Sequence, residues 1–595
     1  MNPALQLQVS SSAPYDQPSR TAAVVSYSLN RPTESSNKRR CVSVQAQSRN
    51  IHSTRLGAAT LHERPLERPS SPQPRPRELP KPENVQFDWH AHWYAVGFVR
   101  DFNSKAPNTF TLLGEDLCIW KDGMGQWQAF LDCCPHRLVP LSEGRITATG
   151  QLQCGYHGWN FNSSGKCTAI PQGGNMNNPR TCAKVYQCTV SQDLLWVKPQ
   201  EAAPGAGPPN PSELPTLPEI DAGWIDSSTF RDLPYDYATL VENLVDTGHV
   251  PFTHHASVSL RSSADELKLD VNKRGPWGFA GRNERGPRKG QMGAQDTEFR
   301  APCLMRSTID AQATKGFSNI TCVYAIPTTP GRCRAIVRNV FLFKSPVPRF
   351  VFKVLPKVFT HLGNNNVLED DVIFLHKQEQ LSVERGLGTK PAAQVYHMPG
   401  QSDNFVTAFR SWLQKHGGGG PWGPMDASWL QAAGPRLSKQ QLLERYESHT
   451  ANCQVCQTAL GRVQLARQVL RHTTTALFVV AASLAAVALA TAHSGPGIGL
   501  TDAENTVGNM GMGMGGKKLV VGTLMMAGSE IVKFMSGLLP SSSPSIRMAT
   551  ALGVALVAGA VALVQRRLAK LEGSFYQGTW PPPRNTQKTT DEAIA

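Results

Sequence analysis

Two short cysteine–histidine pairs constrain this chain more than any other feature. They are Cys134-Pro135-His136-Arg137 and Cys154-Gly155-Tyr156-His157-Gly158-Trp159, with 17 residues between His136 and Cys154. Each half supplies one thiol and one imidazole. A Cys2His2 zinc finger, the rival arrangement, keeps its cysteines together and its histidines together. Two thiolates on one iron and two imidazoles on the other make a Rieske [2Fe–2S] cluster, and the nitrogen ligands raise its potential above that of an all-cysteine ferredoxin. Cys134, His136, Cys154 and His157 are therefore the expected cluster ligands. Cys133 is a spare thiol; Cys134 is preferred because one residue separates it from His136. The chemistry to expect is one-electron transfer, not hydrolysis or phosphoryl transfer.

The bulk composition narrows the setting. A length of 595 residues allows several domains, and 40% apolar content suits a globular protein with some membrane-embedded sequence. Thirteen scattered cysteines do not make a disulfide scaffold. The net charge of +15 is uneven: residues 1–60 hold seven Lys/Arg against two Asp/Glu. No aromatic-interleaved basic stripe accompanies it, so nucleic acid is not an expected partner. Those 60 residues also carry eleven serines and no long apolar core. An Arg/Ser-rich, acid-poor leader reads as an organelle transit peptide, with a plain disordered tail as the alternative.

Proline-rich residues 61–88 form a linker, seven prolines falling within 65–82. Short apolar runs broken by Gly, Asp and Asn across 89–200 predict a β-rich domain with the cluster motifs in its turns. A second Pro-rich stretch, Pro204 to Pro218, separates it from an α+β domain at 219–440. There, Ile320–Ile326 and Ala335–Phe343 read as strands and Tyr235–His249 as a helix that Pro251 ends or kinks. Lys273–Gly293 and Gly417–Pro421 read as loops. Residues 473–492 and 548–564 are charge-free apolar segments, the first long enough to span a bilayer and the second near the lower limit. Their basic flanks, Arg462, Arg467 and Arg471 before one and Arg566-Arg567 after the other, suit a membrane hairpin; a buried helical pair is the alternative. Leu519–Leu539 reads as interfacial or amphipathic, and the Met/Gly run Gly508–Gly516 carries no assigned function.

Asn243-Leu244-Val245-Asp246-Thr247-Gly248-His249-Val250-Pro251-Phe252-Thr253-His254-His255 carries a second constellation. Two imidazoles and a carboxylate form the facial triad of non-haem Fe(II). His249 and His254 are candidate ligands if Pro251 turns the second back towards the first. A CxH…CxxH pair followed by N-x-x-D-x-x-H-x-x-x-x-H resembles the Rieske non-haem iron oxygenases, over roughly residues 89–415. The resemblance implies that Asp246 bridges His249 to a cluster histidine, most readily His157, of a neighbouring subunit. It also implies a homotrimer and a third iron ligand far downstream, in Leu368–Gln378. The family's usual spacing to the following glutamine favours Asp370, with Asp371 as the alternative.

Further segments narrow the likeness. Cys134–Leu138 continuing into Pro140–Ile146, Phe405–Leu413, and Arg445–Thr450 leading into Cys453-Gln454-Val455-Cys456 resemble the plant and algal chloroplast branch, the pheophorbide a oxygenase-like proteins with the translocon-associated Rieske proteins. That likeness implies a β-rich Rieske domain, an α+β mononuclear-iron domain and C-terminal transmembrane helices. It implies a monooxygenase using ferredoxin electrons and O2 on a chlorophyll-derived tetrapyrrole, pheophorbide a first. Hydroxylation of a linear catabolite, or redox sensing within the chloroplast protein-import machinery, are the alternatives. Inner envelope or thylakoid lipid, with the catalytic domain in the stroma, is the implied setting. The segment 441–472 holds Cys453 and Cys456, whose spacing suits a reversible dithiol opened by thioredoxin; half of a metal site and two inert thiols remain as alternatives.

Overall fold

The computed structural model describes residues 87–201, 210–493 and 543–585. The leader, most of the Pro-rich linker, the Met/Gly run and Leu519–Leu539 lie outside the described residues. The first folded region is all β. Its strands are β1 (Tyr94–Phe98), β2 (Asn108–Leu112), β3 (Glu115–Lys121), β4 (Trp127–Leu131), β5 (Arg145–Ile146), β6 (Leu152–Gln153), β7 (Asn160–Phe161), β8 (Cys167–Ala169), β9 (Val185–Ser191) and β10 (Leu194–Glu201). Six of them form an antiparallel sheet in the order β1-β10-β9-β4-β3-β2, while β5 to β8 form a small sheet of their own. The small sheet shares a second core with β3 and β4: Trp120, Phe130, Leu141, Leu152 and Phe161 pack around Cys134 and Cys154.

The second region is one long antiparallel sheet, β11 (Ile225–Leu233), β12 (Asp270–Gly275), β13 (Gly278–Asn283), β14 (Gln295–Arg300), β15 (Leu304–Ala311), β16 (Phe317–Thr329) and β17 (Arg332–Phe343), in the order β11-β17-β16-β15-β14-β13-β12. Both predicted strands are present; Val323 faces Val337 and Tyr324 faces Ile336 across β16 and β17. The expected loop at Lys273–Gly293 is a loop only in its second half; its first half belongs to the β12–β13 hairpin. β12 and β13 pair through it, and the loop is confined to the stretch after Asn283. The glycines that suggest a loop serve packing: a Cβ at Gly281 would lie 2.3 Å from the Phe405 ring.

Of the helices among the described residues, those that position the sites are α1 (Tyr237–Val245), α2 (Val250–Thr253), α3 (Lys357–Glu384), α4 (Asn404–Lys415), α5 (Gln454–His493) and α6 (Pro544–Gly573). In α4, Phe405, Phe409 and Trp412 recur at helical spacing and seal the β12–β13 end. The buried face of α3 is mostly polar: His361, Asn365, Glu369, His376 and Glu379 all point inward. Each has a partner. Glu369 joins Arg231 of β11 at 2.7 Å and Arg445 at 2.5 Å, all three side chains being buried. His376 Nδ1 meets the Pro234 carbonyl at 2.7 Å, and Glu379 accepts the Asp236 N–H at 2.7 Å.

α5 and α6 are long and apolar enough to cross a membrane. They pack along each other, joined by an Arg467–Glu572 ion pair near the folded region. α5 starts at the CxxC segment and runs unbroken through the apolar stretch. After α6 the chain returns to the second region: the Arg445 guanidinium donates to the Ser574 carbonyl at 2.6 Å and Thr450 Oγ1 to that of Phe575 at 2.7 Å.

Candidate metal centres

The cluster loops are two copies of one backbone knuckle. Cys134 N–H donates to the Val139 carbonyl (2.8 Å) and Leu138 N–H to the Cys134 carbonyl (2.9 Å). Cys154 N–H donates to the Trp159 carbonyl (2.8 Å) and Gly158 N–H to the Cys154 carbonyl (3.1 Å). The residue four after each cysteine takes a left-handed conformation, φ 61° at Leu138 and 74° at Gly158. Glycine does this without strain; leucine does not. Both cysteines are buried, whereas His136 is exposed and His157 partly so. The imidazole rings lie 4.6 Å apart, and Trp159 stacks on His136 at 4.6 Å. Thiols therefore face the core and imidazoles face solvent, as two irons gripped from opposite sides require. Burial, with help from the Cys154 thiol, pushes the Cys134 thiol up to about 12, so ligation must displace its proton. The neighbouring Cys133 stands outside this buried pair.

The second centre is built by a helix end. Asp236 caps α1, accepting the Ala238 N–H at 3.0 Å. α1 ends at Val245, earlier than the expected stop, because Asp246 Oδ1 takes the Gly248 N–H at 2.7 Å and forms a turn. Pro251 then sits in the first turn of α2 and starts that helix rather than ending one. His249 and His254 flank this single turn, and their rings come within 5.2 Å.

Each imidazole is fixed from behind by a carboxylate. Asp246 Oδ2 lies 3.2 Å from His249 Nδ1, and Asp370 Oδ2 lies 3.3 Å from His254 Nδ1. Both Nε2 atoms are thereby turned towards Asp371: His254 Nε2 is 3.3 Å from Oδ2 and His249 Nε2 is 3.9 Å from Oδ1. Of the two aspartates expected as the third ligand, the geometry places Asp371, the alternative, and not Asp370 beside the Nε2 atoms. Asp371 completes the group His249, His254 and Asp371, whose ligand atoms lie within 4.8 Å of one another. Adjacent residues on a helix point about 100° apart, so only one of the two aspartates can face the histidines' Nε2 atoms. Asp370 instead accepts from Ser257 Oγ at 2.7 Å and pairs with Arg584 at 3.3 Å. Burial works against charge on His254, but Asp370 and Asp371 outweigh it and hold its pKa at about 9. Next door, His255 Nδ1 accepts the Arg261 N–H at 3.1 Å and takes no place in the group. An open cleft of about 540 Å³ exposes His249 and Asp371 and is walled by Phe374, Leu375, Tyr396, Met398 and Val406. Larger cavities flank it without containing the histidines.

Arg584 carries no sequence signal. It lies beyond the last apolar helix, outside every motif, and still reaches Asp370 and the Thr253 carbonyl, both at 3.3 Å, over the Phe374 ring. Cys453 and Cys456 are both fully buried, whereas thioredoxin attack needs an accessible thiol. Among the described residues, the other group that gathers ligand atoms within 4.8 Å is His361, His449, Cys453 and Cys456.

A thiol-and-imidazole cluster domain joined to a two-histidine, one-carboxylate site defines a Rieske non-haem iron oxygenase. The family profile for the Rieske [2Fe-2S] domain matches residues 92–185, and the profile described as pheophorbide a oxygenase matches residues 299–387. The chain is 37% identical over 414 residues to pheophorbide a oxygenase, chloroplastic, of Arabidopsis thaliana, covering 65% of this chain and 75% of that protein. It is 31% identical over 442 residues to the same plant's protochlorophyllide-dependent translocon component 52, covering 65% and 76%. It is 30% identical over 438 residues to that plant's protein TIC 55, covering 68% and 79%. The chain belongs to this pheophorbide a oxygenase-like branch of the Rieske oxygenases. It is an oxidoreductase with a [2Fe–2S] cluster and mononuclear iron, supplied by a ferredoxin-type donor and O2.

Proposed function

We propose that this protein is a ferredoxin-dependent monooxygenase that oxidises a chlorophyll-derived tetrapyrrole, with pheophorbide a as the leading substrate. The observation that carries this reading is the His249, His254 and Asp371 group opening on a cleft of mixed lining, in which Phe374, Leu375, Val395, Met398 and Val406 form an apolar part, in a chain related over most of its folded length to pheophorbide a oxygenase. When bound, the cluster supplies single electrons and the ferrous ion activates O2. The chain's own residues do the rest. Asp246 and Asp370 hold the Nδ1 sides of the two imidazoles and set their orientation. Phe374, Leu375 and Met398 offer the substrate an apolar wall.

Asp246 remains about one-third exposed, its side chain being 34% accessible. This supports a second hydrogen bond from it to the solvent-facing His157 of a neighbouring subunit, and with it a homotrimer. α5 and α6 anchor the enzyme in the inner envelope or thylakoid membrane of a chloroplast, with the catalytic region in the stroma. The relatives with translocon names favour a second reading, a redox-sensing import component. A complete carboxylate–histidine group beside an open cleft weighs against a purely sensory role.

Purified protein given ferredoxin, reductant, O2 and a panel of chlorophyll catabolites, read by mass spectrometry, tests the reading. Substrate-dependent O2 uptake, with one labelled oxygen atom in an oxidised pheophorbide a product, is the expected result. A linear catabolite gaining a hydroxyl would replace the substrate assignment. No uptake with any chlorin or catabolite would favour the sensor.

A further inference from the structure

His361 lies in the second turn of α3, His449 precedes the CxxC pair, Cys453 stands just before α5 and Cys456 in its first turn. They come from segments 92 residues apart in sequence, as the span from His361 to Cys453 shows. Yet their polar tips converge. His449 Nε2 is 3.2 Å from Cys456 Sγ; His361 Nδ1 is 3.4 Å from Cys453 Sγ and 3.7 Å from Cys456 Sγ. His361 is 1% exposed and the other three are 0% exposed.

A tetrahedral zinc ion, with Zn–S of about 2.3 Å and Zn–N of about 2.0–2.1 Å, holds its sulfur and nitrogen ligands about 3.5 Å apart. The three observed separations bracket that value. The C-x-x-C spacing and the Cys2His2 composition are those of closed structural zinc sites. A second [2Fe–2S] cluster has the same ligand types but needs thiolates and imidazoles on separate irons. Here every sulfur and nitrogen lies within 4.8 Å of the others, which leaves room for one ion. The Cys134, His136, Cys154 and His157 set does not form so tight a group.

A disulfide is the competing use of two such cysteines. It would leave both buried imidazoles facing disulfide sulfur, with His449 Nδ1 already without a hydrogen-bond partner, a costly burial of polar groups. Both thiols are unpaired in the structure, and neither is open to an attacking thiolate.

We propose that His361, His449, Cys453 and Cys456 hold one structural zinc ion. The ion pins the start of α5 to α3. His361 stands ten residues, or about 15 Å along the helix, from Asp371, so α3 is fixed at one end by zinc and presents the iron carboxylate further along. This site is separate from the oxygenase chemistry, and its test needs no substrate.

The full chain, isolated in detergent without added metal, is analysed by plasma mass spectrometry and by zinc K-edge X-ray absorption. Three irons and one zinc per chain are expected, with two sulfur neighbours at about 2.3 Å and two nitrogen neighbours at about 2.0 Å. Cys453→Ser and His361→Ala should each lose the zinc while the Rieske EPR signal persists. Cys182→Ser, at an exposed thiol, should retain it. Three irons with no further metal would overturn the proposal. So would a fourth iron in place of zinc, or a Cys453–Cys456 disulfide found in freshly isolated protein. Metal counts and absorption on the unaltered chain decide the matter even if a variant fails to fold.

Discussion

Replacing Asp370 and Asp371 one at a time should give two different kinds of iron loss. Asp371 faces both imidazole Nε2 atoms, so Asp371→Ala removes one of three ligands and its charge. Asp370 stands behind His254 and has two duties: Oδ2 holds His254 Nδ1 and Ser257, and Oδ1 holds Arg584. Asp370→Asn keeps the shape but has one acceptor oxygen, so either His254 or Arg584 is left facing an NH2 group. Loss of an outer partner of a ligating histidine costs about 10–100-fold in metal affinity, or about 1.4–2.8 kcal/mol. The assay is Fe(II) titration of protein stripped of its mononuclear iron, with iron counted against the Rieske EPR signal in the same sample. Asp370→Asn should reach the wild-type iron content at about 10–100-fold higher free Fe(II). Asp371→Ala should not reach it at any concentration that leaves the cluster intact. The reverse pattern, saturable loss at Asp371 and complete loss at Asp370, would refute the geometric assignment.

His157→Cys should keep a cluster but shift its potential from the Rieske range, about −150 to +300 mV, towards about −400 mV; an unchanged EPR signal and potential would remove His157 from the ligand set. Asp246→Asn should keep the cluster and, at saturating Fe(II), the mononuclear iron, since the amide oxygen still accepts the Gly248 N–H while only the partner behind His249 is lost, and reoxidation of the reduced cluster should slow even in the iron-replete protein; stopped-flow spectra would show this, and an unaltered rate, or a fully active monomer, would argue against the bridge. Glu379 gives a pH signature: burial first, then the nearby Asp236, raise its carboxyl to about 8. The folded protein therefore holds a proton that the unfolded chain has released above its usual carboxylate range. Stability should be highest at the acid end and fall by up to about 1.4 kcal/mol per pH unit as pH rises to 8; thermal melts of Glu379→Gln should lack that fall, and an identical profile would exclude Glu379 as its source.

Local pattern made some features legible and long-range contact hid others. Both cluster motifs and the pair His249 and His254 could be read because their spacing within one loop is itself the geometry. The Asp370–Asp371 choice could not. It depends on the direction each side chain leaves α3, and that helix has too little apolar periodicity to reveal its buried face. His361, Asn365, Glu369 and His376 are buried polar residues, each needing a partner from elsewhere in the chain. His361 was invisible beside Cys453 and Cys456 for the same reason. Lys273–Gly293 misled because glycine that permits close packing looks in sequence like glycine that permits a turn.

The last turn of the described chain has a consequence for how the enzyme comes into being. Arg584 reaches the carboxylate behind His254, and its own carbonyl is held by Arg261 at 2.6 Å. It is synthesised only after α5, α6 and the stretch between them. The Arg445–Ser574 and Thr450–Phe575 contacts wait on the same late residues. The brace behind His254 is thus absent until the chain has been made through Arg584 and α5 and α6 have packed together. A version cut short before α6 forfeits this brace along with that helix, and leaves Asp370 without its arginine. The pairing of α5 with α6 and the pocket mature as one event, so a lesion in the final dozen described residues reads out as an iron defect.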